Sequence, residues 1–204
     1  MIRTLFFDIG GVLVDLHPER TETLLQKQTG LDPDTLRDRF PLDVHHDYER
    51  GRLDDQTFFQ RVKAKLGPEA HNLSPSAFWQ AWMAMVGRPK RTAAWISVLR
   101  QEVPVWLLSN TNRYHVVHLL PDYPFYSQVD GAIFSYETGY RKPEAGIFHL
   151  ALERAGVAPE EALFIDDVEA NVTAARAVGL EAIHFHTPEQ LAEELHRRGW
   201  NSFE

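Results

Sequence analysis

Short, unbroken apolar runs punctuate this chain, separated by segments in which apolar residues recur every three or four positions. The runs Thr4-Leu5-Phe6-Phe7, Val103-Pro104-Val105-Trp106-Leu107-Leu108, Gly131-Ala132-Ile133-Phe134, Leu163-Phe164-Ile165 and Ala182-Ile183-His184-Phe185 read as buried strands. From Asp15 to Val86 the pattern is helical, with no convincing strand. Asp32-Pro33, Asp54 and Ser74-Pro75 supply helix starts, and stripes such as Phe58, Phe59, Val62 and Leu66, or Phe78, Trp79, Trp82, Met83 and Val86, supply apolar faces. Stripes of this kind are what packed helices need, so we read them as helix cores. Pro89 is expected to open a helix through Trp95, Ile96 and Leu99, and the polar cluster Ser109-Asn110-Thr111-Asn112 to cap one running through Tyr114, Val117 and Leu120. Further helices are expected from Ile147 to the terminating Gly156, from Val168 to Gly179, and from Thr187, where Gln190 completes a capping-box spacing. Strands alternating with helices imply an α/β fold, a Rossmann-like parallel sheet with helices on both faces and an inserted helical cap. The expected division is a core of residues 1–14 and 87–204 around a cap of residues 15–86.

A chain of 204 residues suits one domain carrying a modest insertion. The net charge of −8 argues against a nucleic-acid or anionic-membrane partner. No apolar run is long enough to span a bilayer and no leader pattern opens the chain, so a cytoplasmic location is the expectation. The absence of cysteine excludes disulfides and thiolate metal sites. Oligomeric state is left open.

The chemistry collects at strand ends. Asp8 follows the first run and precedes Gly10-Gly11; Ser109-Asn110 follow the second long run; Asp166-Asp167 follow Ile165. Arg141-Lys142 lie in the loop after the Gly131 strand. A parallel sheet brings such ends to one edge, where carboxylates can hold a hard cation such as Mg²⁺ and a hydroxyl, backbone N–H groups and a lysine can receive a phosphoryl group. Among the histidines, the pairs His45/His46, His115/His118 and His184/His186 have no visible carboxylate or third ligand beside them, which argues against zinc.

Four of these stretches together resemble the haloacid dehalogenase superfamily of phosphohydrolases: Phe7-Asp8-Ile9-Gly10-Gly11-Val12-Leu13, Leu108-Ser109-Asn110, Lys142-Pro143, and Phe164-Ile165-Asp166-Asp167 with Asn171 and Gly179 downstream. They occur in the family's order, and the segment from Asp15 to Val86 resembles the helical cap that many members insert after the first motif. Within the family the chain looks similar to sugar-phosphate phosphatases and to the phosphatase domain of soluble epoxide hydrolase. The resemblance implies a Mg²⁺-dependent phosphatase of a small phosphorylated metabolite. Asp8 would be the nucleophile that forms an aspartyl-phosphate, Ser109 and Asn110 would bind the phosphoryl group, and Lys142 would neutralise charge on both. Asp8, the Gly10 carbonyl and Asp167 would hold the metal, with Asp166 beside them or just behind.

One position departs from the pattern. Phosphatases of the family usually carry a second Asp two residues after the nucleophile as the general acid and base, and here that residue is Gly10, as in some relatives that look like true phosphatases. Asp15 and His17 lie just beyond as possible substitutes, although each is as easily an ordinary cap-loop residue. Two other readings follow: a hydrolytic dehalogenase, which also lacks the second Asp, and a weakened phosphate-binding or regulatory protein.

Overall fold

In the computed structural model, which describes residues 1–201, the expected strands form one parallel sheet. Its strands are β1 (Thr4–Phe7), β4 (Val105–Ser109), β5 (Gly131–Phe134), β6 (Ala162–Asp166) and β7 (Glu181–His184), in the order β5-β4-β1-β6-β7. A second, two-stranded antiparallel ribbon joins β2 (Val14–Leu16) to β3 (Val86–Pro89). The helices are α1 (Pro18–Thr29), α2 (Pro33–Arg39), α3 (Leu42–Glu49), α4 (Asp55–Leu66), α5 (Pro75–Met83) and α6 (Arg91–Leu99), then α7 (Arg113–His118), α8 (Ser135–Thr138), α9 (Ala145–Ala155), α10 (Glu169–Ala177) and α11 (Pro188–His196).

The unbroken apolar character of β1 follows from burial on both faces. Leu5 and Phe7 pack into a cluster with Ile96 of α6 and Leu191 of α11, whereas Phe6 between them packs with Phe148 of α9 and Val172 of α10. β1 lies at the centre, with Phe7 in register with Leu107 on one side and Ile165 on the other. After β1 the chain moves to one edge through β4 and β5, then crosses to β6 and β7 on the other side. The carboxyl ends of β1 and β6 therefore flank the point where the winding reverses, the place at which open α/β sheets form a ligand crevice.

Helices α1 to α5 contribute a separate apolar cluster, which includes Leu25, Leu36, Tyr48, Phe58, Phe78 and Trp82. The three expected helix starts are realised: Asp32, Asp54 and Ser74 each accept a hydrogen bond from the first turn of α2, α4 and α5. Each satisfies a backbone N–H that the helix itself leaves unpaired.

The structure corrects several expectations. Val86 is part of β3, not of a helical stripe, and Pro89 ends that strand while Lys90 caps α6. β2 and β3 are too short, and too exposed along β3, to leave an alternating pattern in the sequence. Helix α7 stops at His118, and Leu120 begins a separate 3₁₀ turn at Leu120–Asp122. At α11 Thr187 caps Gln190, but the Gln190 amide bonds His184 and His186 and leaves the capping box half made. No helix among the described residues is long and apolar enough to cross a membrane.

Candidate active site

Strand β1 delivers Asp8 to the crevice. Its backbone N–H still follows the ladder, donating to the Ile165 carbonyl at 2.9 Å, while one carboxylate oxygen accepts from the Ile9 N–H at 2.8 Å. Beside it β6 ends in Asp166, and one oxygen from each of Asp8, Asp166 and Asp167 falls within a 4.8 Å cluster.

Lys142 enters this cluster from the loop after α8. It is a buried cation, not a solvated loop lysine: its side chain is 1% exposed, and Nζ lies 2.8 Å from Asp8 Oδ1 and 2.6 Å from Asp166 Oδ2. Two clamps hold it there. Asn110 at the end of β4 accepts from the Lys142 N–H at 2.7 Å and donates to the Lys142 carbonyl at 2.9 Å, fixing the loop to the sheet. Asp166, fully buried, is fixed in turn by Asn171, whose amide donates to both carboxylate oxygens at 3.0 and 3.1 Å, and by the Val168 N–H at 2.8 Å.

The charges do not balance within the cluster, since three carboxylates face one ammonium. Burial pushes the Asp8 carboxyl up to about 7, Lys142 pulls it back and Asp166 raises it further. The Asp167 carboxyl is also raised, by burial first and then by Asp166. Oxygen donors with excess negative charge suit a hard divalent cation, whose charge would lower both carboxyl groups again.

The glycine pair after Asp8 divides its roles in a way the sequence does not reveal. Gly11, not Gly10, has positive φ, at 73°, and a Cβ there would sit 2.0 Å from Asp167 Oδ2. Gly10 has ordinary backbone, and the nearest atoms a Cβ on it would meet are those of the Leu16 side chain, with Cδ1 at 2.7 Å. A partly exposed leucine thus stands next to the place where an acidic side chain at position 10 would project.

Gly10, Ser109 and Asn110 line a cavity of about 160 Å³ whose far wall comes from the helical segment, through His45, Glu49 and Trp82. His17 does not reach it. That imidazole pairs with Glu19 at 3.1 Å and lines a different groove with Asp15, Arg20 and Arg88, so neither expected substitute faces the cavity. The histidine reading needs a second correction, because His45 does have a carboxylate beside it: Glu49 Oε1 is 3.5 Å from Nε2. Glu49 also accepts from Arg141 Nε at 2.6 Å, linking α3 to the loop that carries Lys142, and Arg50 pairs with Glu144 alongside. Sequence reasoning missed this link. His115 bridges Asn112 and the Trp82 carbonyl, and burial pushes its imidazole down to about 4, a neutral structural role.

Comparison with known proteins places this geometry in a family. Residues 2–179 match the haloacid dehalogenase-like hydrolases. The chain belongs to that family. Among relatives of this hydrolase is a D-ribitol-5-phosphate phosphatase of Bacteroides thetaiotaomicron, 28% identical over 96% of this chain and 97% of its own. Another is a sesquiterpene phosphatase of Aspergillus oryzae, 24% identical over 87% of each chain. Similar solved structures include a family enzyme from Bacteroides thetaiotaomicron in complex with magnesium and inorganic phosphate, with TM-score 0.81 and 26% identity over 94% of this chain and 99% of that one. An L-2-haloacid dehalogenase from Xanthobacter autotrophicus shares the fold at TM-score 0.62 and 19% identity, covering 98% of this chain and 84% of that one.

Proposed function

We propose that this hydrolase is a Mg²⁺-dependent phosphatase of a small phosphorylated metabolite, with Asp8 as nucleophile. The observation that carries the reading is the Asp8, Asp166 and Asp167 cluster around one buried ammonium. A cluster that keeps excess negative charge fits a divalent cation and a phosphate, and has no use in a metal-free dehalogenase. The phosphatase relatives and the magnesium and phosphate complex of a similar structure support it.

Asp8, Asp167 and the Gly10 carbonyl would hold Mg²⁺, which when bound supplies positive charge for the phosphoryl oxygens and the nucleophile. Asp166, its oxygens taken by Lys142, Asn171 and Val168, serves better as the anchor of Lys142 than as a direct ligand. An ionised Asp8 oxygen attacks phosphorus as the ester P–O bond breaks, and the departing alkoxide takes its proton from solvent water. Water then attacks the aspartyl-phosphate, releasing phosphate and restoring Asp8. Ser109 offers its hydroxyl and Asn110 its backbone N–H to the phosphoryl oxygens, and Lys142 offsets their charge. The segment 15–86 acts as a cap over a core of 1–14 and 87–204, a division supported by its own apolar cluster and by the Glu49–Arg141 bridge. Release of phosphate from an aryl phosphate, assayed with Mg²⁺ and with excess chelator, tests the reading. Turnover that persists undiminished in chelator contradicts it.

A further inference from the structure

The cap carries a second, larger cavity of about 360 Å³, within the range of about 300 to 1,000 Å³ usual for small-molecule sites. It adjoins the cavity over Gly10 and Ser109, because His45, Trp82 and Met85 belong to the walls of both. The rest of its wall is largely apolar, from Leu25, Leu36, Phe40 and Leu42, the last of these 62% exposed at the surface.

The polar side chains on this wall are already engaged. Thr21 donates to the Ala81 carbonyl at 2.7 Å, Glu22 pairs with Arg37 at 3.3 Å, and His45 faces Glu49. Among the described residues Trp82 Nε1 is buried with no hydrogen-bond partner, which leaves a single unpaired donor on the wall shared by the two cavities. A sugar or polyol placed in this cavity would surrender its hydration for very few new hydrogen bonds, which is unfavourable. The smaller cavity is mixed: Ile9, Leu16, Val86 and Leu120 face it together with His45, Glu49, Asn112 and His115, but those four polar side chains are already bonded to one another, to Arg141 or to the Trp82 carbonyl.

We infer that the alcohol half of the substrate is apolar: a phosphate monoester whose hydrocarbon body passes between Trp82 and Met85 into the cavity walled by Leu25, Leu36, Phe40 and Leu42. This rests on the phosphatase reading and narrows it to a substrate class. Leu16 beside Gly10 fits the same picture, extending the apolar surface to the edge of the nucleophile.

The test is a homologous series with Mg²⁺ present: acetyl phosphate, n-alkyl phosphates from methyl to hexyl, and a pentitol phosphate. Binding of the matching n-alkylphosphonates, whose C–P bond survives, is measured by calorimetry. Each methylene that enters the cavity is expected to raise kcat/KM and phosphonate affinity about fourfold, the equivalent of about 0.8 kcal/mol per buried CH₂, and hexyl phosphate is expected to outrun the pentitol ester. Leu42→Glu, at an exposed position that tolerates charge, is expected to lower the hexyl-to-methyl ratio by tenfold or more. Hydrolysis of acetyl phosphate with no chain-length gain, or with the pentitol phosphate preferred, overturns the inference and leaves the phosphatase reading standing. No hydrolysis of any ester overturns both.

Discussion

Replacing Lys142 by Met keeps most of the apolar stem and its packing near Phe164, over whose ring Nζ now lies at 5.3 Å, but removes the ammonium that bridges Asp8 and Asp166. Stripping one partner from a buried ion pair typically costs about 3–5 kcal/mol, because the remaining charges have lost their water and gain nothing in exchange. Here the cost depends on pH. The Asp8 carboxyl, held up to about 7, lies above its unfolded value of 3.8, so the folded state binds the extra proton and stability falls as pH rises through that interval. Without Lys142, which lowers it, the folded value climbs further, and the variant goes on losing stability above pH 7 where the wild type has levelled off. Urea unfolding in chelator, at about pH 6 and about pH 8.5, is expected to show a deficit that widens by at least about 1 kcal/mol at the higher pH. Phosphate release should fall by about 10²–10³, the usual cost of losing one donor that stabilises transition-state charge. An unfolding free energy within about 1 kcal/mol of wild type at both pH values would refute the reasoning, since Lys142 could not then be what neutralises the carboxylates.

Other perturbations read different parts of the site. Asp8→Asn is expected to abolish turnover while leaving the thermal transition within a few degrees, because the amide fits the same space; turnover within about tenfold of wild type removes Asp8 from the mechanism. Gly11→Ala is expected to weaken the Mg²⁺ dependence of phosphate release and to destabilise the fold, through positive φ and the clash with Asp167; an unchanged Mg²⁺ titration contradicts this. Gly10→Asp requires only that Leu16 swing aside, and is expected to speed esters with poor leaving groups more than aryl phosphates, as restored acid catalysis would; an equal effect on both argues against missing protonation. The His115 imidazole, pushed down to about 4 by burial, lies below its unfolded value of 6.5, so its contribution is present above pH 6.5 and lost as pH falls toward 4, up to about 3 kcal/mol. His115→Gln should flatten that acid loss in urea unfolding, and an unchanged pH profile rules it out.

Much of the core was legible because doubly buried parallel strands leave unbroken apolar runs, and the residue that ends each run marks the crevice. Asp8, Ser109 and Asp166 could be found that way, and the five strands of the main sheet with them. The burial of Lys142 could not, since Arg141-Lys142-Pro143 reads locally as a solvated loop and its partners lie on other strands. Glu49 and Arg141 stand 92 positions apart, so no local pattern links His45 and its carboxylate to the site. The β2–β3 ribbon escaped because Val14-Asp15-Leu16 and the half-exposed Val86-Gly87-Arg88-Pro89 carry no unbroken apolar run. Which glycine of the pair needs positive φ is set by the direction the turn takes toward Asp167, information that the dipeptide itself does not carry.

The account turns on Asp8 attacking phosphorus itself, and the stereochemical course at phosphorus tests that most directly. An isotopically chiral thiophosphate ester would be hydrolysed with Mg²⁺ in isotopically labelled water and the configuration of the released thiophosphate determined. Two in-line displacements, first by Asp8 and then by water, predict retention. Inversion would show a single direct attack by water and contradict the mechanism.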